Sequence, residues 1–201
     1  MADYKKYLTI HGHFYQPPRE NPWLEYVELQ ESAYPFHDWN ERVCEECYSP
    51  NSVSKIVGDK SKVLDIVNNY AHMSFNMGAT LLSWMEKFRP KTYQRVIDAD
   101  IESVKEFGGH GNALAQVYNH IIMPLANEHD KYTQVIWGIE DFKRRFGRMP
   151  EGMWLAETAC DDETLGVLAV CGIIFTVLSR YQAEKVQALN DAVYTDVSHG
   201  E

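Results

Sequence analysis

The stretch Glu151–Cys160, EGMWLAETAC, carries one carboxylate, Glu157, directly after a short apolar run that reads as the end of a buried strand. In α/β barrels the C-terminal ends of the strands are where chemistry is done. A Glu there with Trp154 beside it suits sugar cleavage, because a carboxylate can attack or stabilise an anomeric carbon and an indole can pack on a sugar face. The following residues, Thr158 to Glu163, also resemble a helix start, with acidic side chains suited to its first turn. On these residues alone, Glu157 as a helix cap stays open beside Glu157 as a catalytic group.

Other polar residues stand at matching places after apolar runs. His11 and His13 end the run Tyr7–His13, and Asn76 lies in Met73–Met77. Gln116, Tyr118, Asn119 and His120 close a run beginning at Ala113, and Ser179–Tyr181 follows the last one. Two chemistries can use such a rim. In one, Glu157 is the nucleophile or acid/base of glycoside cleavage, histidines and amides bind hydroxyls, and a second carboxylate stands about 5–5.5 Å away for retention. In the other, His11, His13, His110 or His120 join a carboxylate around a metal that activates water, as in a deacetylase. Our reading of the HGH segment sends the His11 and His13 rings to opposite faces of their strand, which counts against a metal. No HExxH, P-loop, GxSxG or GxGxxG pattern occurs. The CxxC at Cys44 and Cys47 lacks a matching second pair and is flanked by Glu45 and Glu46, so free thiols on a short helix are expected. His37, His72, His129 and His199 lack a comparable position and read as structural or exposed.

The elements that must hold these residues alternate. A strand over Tyr7–His13 leads into a proline- and aromatic-rich segment up to Val43, expected to be a long ordered loop over the strand ends. Helical spacing follows in Gly78–Phe88 and from Pro90 to Gly108–Gly109, then a strand at Ala113–Tyr118 and an amphipathic helix at Tyr132–Phe146 closed by Gly147. A strand at Met153–Ala156, a helix from about Asp162 to Cys171 and a strand at Ile173–Leu178 complete the series. Strands and helices alternating over short connections predict a parallel sheet with right-handed crossovers.

Bulk properties narrow the partners. At 201 residues and 45% hydrophobic content the chain suits a single α/β domain over residues 1–201, with a loosely ordered tail from about Asn190. A net charge of -10 argues against nucleic acid and anionic membrane as partners, leaving neutral substrates such as sugars. No apolar run approaches the roughly 18 residues of a membrane span, and the first residues lack the apolar core of a signal peptide, so a cytoplasmic location is expected.

The segments HGHFYQPPREN, SFNMGATLLSW, GGHGNALAQVYNHIIMPLA and YTQVIWGIEDFKRRFGRMPEGMWLAETA, in this order, resemble the N-terminal part of glycoside hydrolase family 57, from His11 to about Gln187. The resemblance implies an incomplete parallel (β/α)7-type barrel, of which the chain would hold about the first five βα units. It implies α-glucan cleavage or transfer with retention, of the α-amylase or 4-α-glucanotransferase type, without a cofactor or metal. Matched residue by residue, Glu157 is the nucleophile, His13 is the histidine of the first motif with Gln16 after it, and His120 is the polar residue of the second. Asn76, His110, Gln116 and Trp154 complete the expected oligo- or polysaccharide contacts. The family's general acid is an Asp on a later strand, which the sequence ending at Glu201 does not supply, so a fragment or naturally shortened homologue is expected. Without that acid most turnover would be lost, since proton transfer contributes about 10²–10⁴-fold. An incomplete barrel would also expose strand edges and favour self-association. The alternatives are a metal-dependent polysaccharide deacetylase and a non-catalytic glycan-binding or regulatory module.

Overall fold

Side-chain caps set the starts of three α-helices in the computed structural model, which describes residues 8–179, 181–187 and 192–197. Strand β1 (His11–Phe14) opens the fold. The expected long loop follows, interrupted by a 3-10 turn at Glu31–Ala33 and the short helix α1 (Trp39–Val43), whose N-cap Asp38 accepts from the Glu41 amide. A π-helical turn, Cys44–Tyr48, carries both cysteines of the CxxC as free thiols, with the α-helical turn α2 (Ser49–Ser52) after it. Burial pushes both thiols above their ordinary pKa, which makes them poor nucleophiles.

A hairpin then intervenes, β2 (Ser54–Val57) antiparallel to β3 (Val63–Val67). Sequence reading gives no hairpin here, because its Ile56, Val57, Leu64 and Ile66 are all exposed and show no buried-face alternation. Strand β4 (Ser74–Met77) leads through Gly78 into α3 (Ala79–Phe88), and Pro90 begins α4 (Pro90–Glu106), where its missing N–H costs nothing. Strand β5 (Ala113–Gln116) is shorter than the expected Ala113–Tyr118. Helix α5 (Glu128–Phe146) starts four residues before the expected Tyr132, because the Asn127 side chain caps it by accepting from the Asp130 amide at 2.9 Å. Acidic residues in its first turn, basic ones in its last and left-handed Gly147 at its end agree with the helix dipole and a C-terminal αL cap.

Strand β6 (Met153–Trp154) and helix α6 (Asp162–Val170), capped by Asp161, follow. The strand expected at Ile173–Leu178 is reduced to one parallel bridge between Gly152 and Phe175. A two-stranded ribbon, β7 (Lys185–Val186) and β8 (Thr195–Asp196), occupies part of the expected loose tail. Tyr7 of the expected first strand, Arg180, residues 188–191 and residues 198–201 with His199 lie outside the described residues.

The four principal strands pair in parallel in the order β1-β4-β5-β6. Helices α3, α4 and α5 enclose a core of Phe75, Leu81, Met85, Val96, Val135 and Met153. Gly138 brings α5 onto β5: a Cβ there would stand 2.2 Å from the Gln116 carbonyl oxygen. Only glycine permits that approach, and it sets the position of the strand that carries Gln116. The architecture is a partial (β/α) barrel. Among the described residues no helix is long and apolar enough to cross a membrane.

Candidate active site

Sheet register gathers the polar residues. His13 pairs with Asn76 across β1 and β4, Asn76 with Leu114 across β4 and β5, and Gln116 with Trp154 across β5 and β6. Parallel in-register strands put their C-terminal ends on one side, so residues far apart in sequence meet there.

Asn76, wholly buried, is the hub. Its Oδ1 accepts from His11 Nε2 at 3.1 Å, and its Nδ2 donates to Gln116 Oε1 at 2.7 Å and to His13 Nδ1 at 2.9 Å. Ser74 Oγ lies 2.9 Å from His11 Nδ1. We assign the tautomers from these partners: His13 accepts at Nδ1 and therefore donates from Nε2, and the Nε2 of His120 is the acceptor 3.3 Å away. Hydrogen bonds thus run from Ser74 through His11, Asn76 and His13 to His120.

The rings also form a column. Tyr15 stacks on His120 with centroids 3.9 Å apart, His120 on His13 at 5.2 Å, and Trp154 on His13 at 4.7 Å and on His11 at 5.1 Å. Both histidines of HGH therefore face the same way. The expectation of opposite faces is overturned, because side chains two residues apart in a strand share a face. Tyr15, two residues further, joins the same stack and was missed; that spacing is the signal that would have found it. Trp154 is not a free indole platform, since imidazoles already stack on it.

Burial lowers the pKa of His11 and His120, and in both cases the neighbouring His13 lowers it further; for His11 the Asn76 bond and for His120 the Glu157 charge act the other way. At neutral pH these two imidazoles are uncharged. They can hydrogen-bond hydroxyls and do not make an anion-binding patch.

Glu157 follows β6 in a single 3-10 turn, Ala156–Thr158, and is exposed. Its φ of 56° is left-handed, as are those of Thr158 and His120. Such backbone costs an L-residue about 1–2 kcal/mol, and strain of this kind concentrates at functional sites. Gln182 pins the turn: its Oε1 accepts from Thr158 Oγ1 at 2.8 Å and from the Ser179 amide at 2.7 Å, while its Nε2 donates to the Thr158 carbonyl at 2.6 Å. Nothing in the sequence marks Gln182 for that task.

Other expected contacts fall differently. Gln16 is buried, with its Nε2 donating to Tyr48 Oη at 2.9 Å and its Oε1 accepting from Arg19 at 2.9 Å, so both ends of its amide serve the loop. His110 pairs with Glu151 at 2.9 Å beside the N-terminal ends of β5 and β6, at the opposite end of the sheet from His13. The structure does not bring His110 into the row. Among the described residues, the buried donors Gln116 Nε2 and Trp154 Nε1 have no hydrogen-bond partner. Among the described residues no three His, Cys, Asp or Glu side chains converge closely enough to hold a metal.

The model of glycosyl hydrolase family 57 matches residues 6–195. The chain belongs to that family. Solved structures agree on the fold: the exo-type maltose-forming amylase from Pyrococcus sp. ST04 is 14% identical with a TM-score of 0.56, over 85% of this chain and 28% of that one. The α-amylase AmyC from Thermotoga maritima is 14% identical with a TM-score of 0.51, over 85% and 39%. The 4-α-glucanotransferase from Thermococcus litoralis is 20% identical with a TM-score of 0.50, over 86% and 22%. The chain thus spans between about a fifth and two fifths of these proteins. No curated protein sequence matches it.

Proposed function

We propose that the chain carries the nucleophile half of a retaining glycoside hydrolase or transglycosylase acting on α-glucan. The observation that supports this best is Glu157 itself: an exposed carboxylate on left-handed backbone at the end of β6, within electrostatic reach of His120. In this reading Glu157 attacks the anomeric carbon and forms a glycosyl ester as the glycosidic C–O bond breaks and the leaving sugar oxygen takes a proton from the general acid. Water or a second sugar then takes the glycosyl group.

The uncharged imidazoles of His11 and His120 suit a neutral polyhydroxyl ligand. The general acid has to be another carboxylate facing Glu157. Asp161 does not qualify, because it caps α6 through the Thr164 amide and hydroxyl and pairs with Lys131, which together hold its pKa down at about 2. A carboxylate so acidic has no proton to give at neutral pH.

Incubation with a mechanism-based 5-fluoro-α-glucosyl fluoride tests the reading, with mass spectrometry of the peptide spanning residues 151–159. One glucosyl adduct per chain, absent in Glu157→Gln, is the expected result. An adduct that survives in Glu157→Gln, or no adduct at all, overturns it. Glucan binding without any adduct would favour a non-catalytic glycan-binding module.

A further inference from the structure

Glu157 and Thr158 are consecutive left-handed residues, with φ of 56° and 54°. Residues with a Cβ avoid that conformation, so a pair of them has to be held by something outside the turn. The turn's own backbone supplies two bonds, from the Thr158 amide to the Leu155 carbonyl and from the Ala159 amide to the Ala156 carbonyl, each 3.0 Å. The other polar atoms of Thr158, its hydroxyl and its carbonyl, both meet the side chain of Gln182, 24 residues later. A primary amide can serve the two together, because its oxygen accepts from the hydroxyl while its nitrogen donates to the carbonyl. The Ser179 amide, a second donor to Gln182 Oε1, fixes which end of the amide is which, and the Gln182 amide donates back to the Ser179 carbonyl at 2.9 Å. The segment leading to Gln182 is tied to β6 as well: the Met153 amide donates to the Phe175 carbonyl at 3.1 Å, and the Met153 carbonyl accepts from Thr176 Oγ1 at 2.8 Å. Gln182 itself is exposed, so no buried packing depends on it.

We propose that Gln182 is a positioning residue for glycosyl transfer: acting through Thr158, its side-chain amide holds the left-handed turn that aims the Glu157 carboxylate. This rests on the glycosidase reading and extends it to a residue that acts through another. Without the amide, Glu157 and Thr158 gain free energy by relaxing into ordinary backbone regions, and the carboxylate swings with them. A nucleophile has to stand about 3–3.5 Å from the atom it attacks, and a misplacement of about 1 Å can cost about 10²-fold in rate. The amide is also chemically specific. Gln182→Glu keeps the acceptor for Thr158 Oγ1 and the Ser179 amide but sets a carboxylate against the Thr158 carbonyl, where a donor is required until that carboxyl is protonated.

Two measurements on the full chain test this: labelling of Glu157 over a range of 5-fluoro-α-glucosyl fluoride concentrations, and amide hydrogen exchange in the peptide spanning residues 151–159. In Gln182→Ala the limiting labelling rate should fall about 10–100-fold while the half-saturating fluoride concentration and the Tm change little, and exchange in the peptide should speed up. Gln182→Glu should label slowly at pH 7 and recover relative to the unaltered chain as the pH falls to 5, toward the ordinary carboxyl pKa of about 4.3, because the protonated group donates again. Faster exchange in Gln182→Ala with an unaltered limiting rate makes the contact structural only and overturns the proposal, leaving the glycosidase reading standing. Unaltered exchange, or a Gln182→Glu rate that stays in constant ratio to the unaltered chain across that pH range, overturns it in the same way. Absence of any adduct in the unaltered chain, with exchange still faster in Gln182→Ala, overturns the glycosidase reading and the positioning role with it.

Discussion

The Nε2 atoms of His13 and His120 lie 3.3 Å apart although 107 residues separate them in sequence. Two imidazole nitrogens at that distance must share one proton between them, since neither two donors nor two acceptors are tolerated there. The setting of the pair between Tyr15 and Trp154 keeps the rings parallel, and its direction is set from below by Asn76.

Asn76→Ala should expose that dependence. It removes the acceptor for His11 and the donor for His13, and strands Gln116 Oε1 in the buried sheet. A stability loss of about 1–3 kcal/mol is expected from the unmade hydrogen bonds, measured by urea unfolding. Labelling of Glu157 should slow by up to about 10²-fold as the rings lose alignment. An unchanged labelling rate would show that the row does not serve Glu157.

Stability should depend on pH with a definite sign. His11 and His120 both have folded-state pKa values below the ordinary 6.5, so the unfolded chain binds more protons than the folded one as acid is added. Stability is then full above about pH 6.5 and falls as the pH drops through that value toward the folded-state pKa. The urea midpoint should decline between pH 7.5 and 5.5, and the decline should be shallower in His120→Gln. A midpoint that rises on acidification contradicts the assigned neutral imidazoles.

Gly138→Ala opposes two effects of known size. Alanine gains up to about 1 kcal/mol in helix propensity over glycine. Its Cβ would also stand 2.2 Å from the Gln116 carbonyl oxygen, and both are backbone-anchored. Overpacking of this kind costs about 1–3 kcal/mol, so a net loss in thermal stability is expected, with slower labelling because β5 must move. A stabilised variant would mean that α5 does not press on β5 as described.

The sheet ends at the Gly152–Phe175 bridge, where Ile174 is exposed. We expect this edge to associate with other chains, and light scattering should report a concentration-dependent mass that Ile174→Lys reduces. A monomer at every concentration refutes that.

Most of the fold was legible because β5 is an apolar run ending in Gln116, and because Pro90 and Gly147 mark helix ends chemically. The β2–β3 hairpin was not, since its apolar residues face solvent and give no one-sided pattern. At the site, Glu157, His13, Asn76, Gln116 and His120 could be placed on one rim from their positions after strands. Their hydrogen bonds could not, because these depend on cross-strand register, which a single sequence does not state. His110 was misplaced for a related reason: GGHGN lies next to β5 in sequence, but before its first residue and not after its last. The shared face of His11 and His13, by contrast, was available from their two-residue spacing alone.

The left-handed turn at Glu157 has an evolutionary corollary. Folding alone would favour glycine at that position, and asparagine next, so on the proposed reading a glutamate there is kept for its carboxylate. In a lineage that abandoned glycosyl transfer, position 157 should be among the first to decay to Gly or Asn, while the packed strand before it persists. A survey of relatives could therefore sort working enzymes from retired scaffolds by reading one codon.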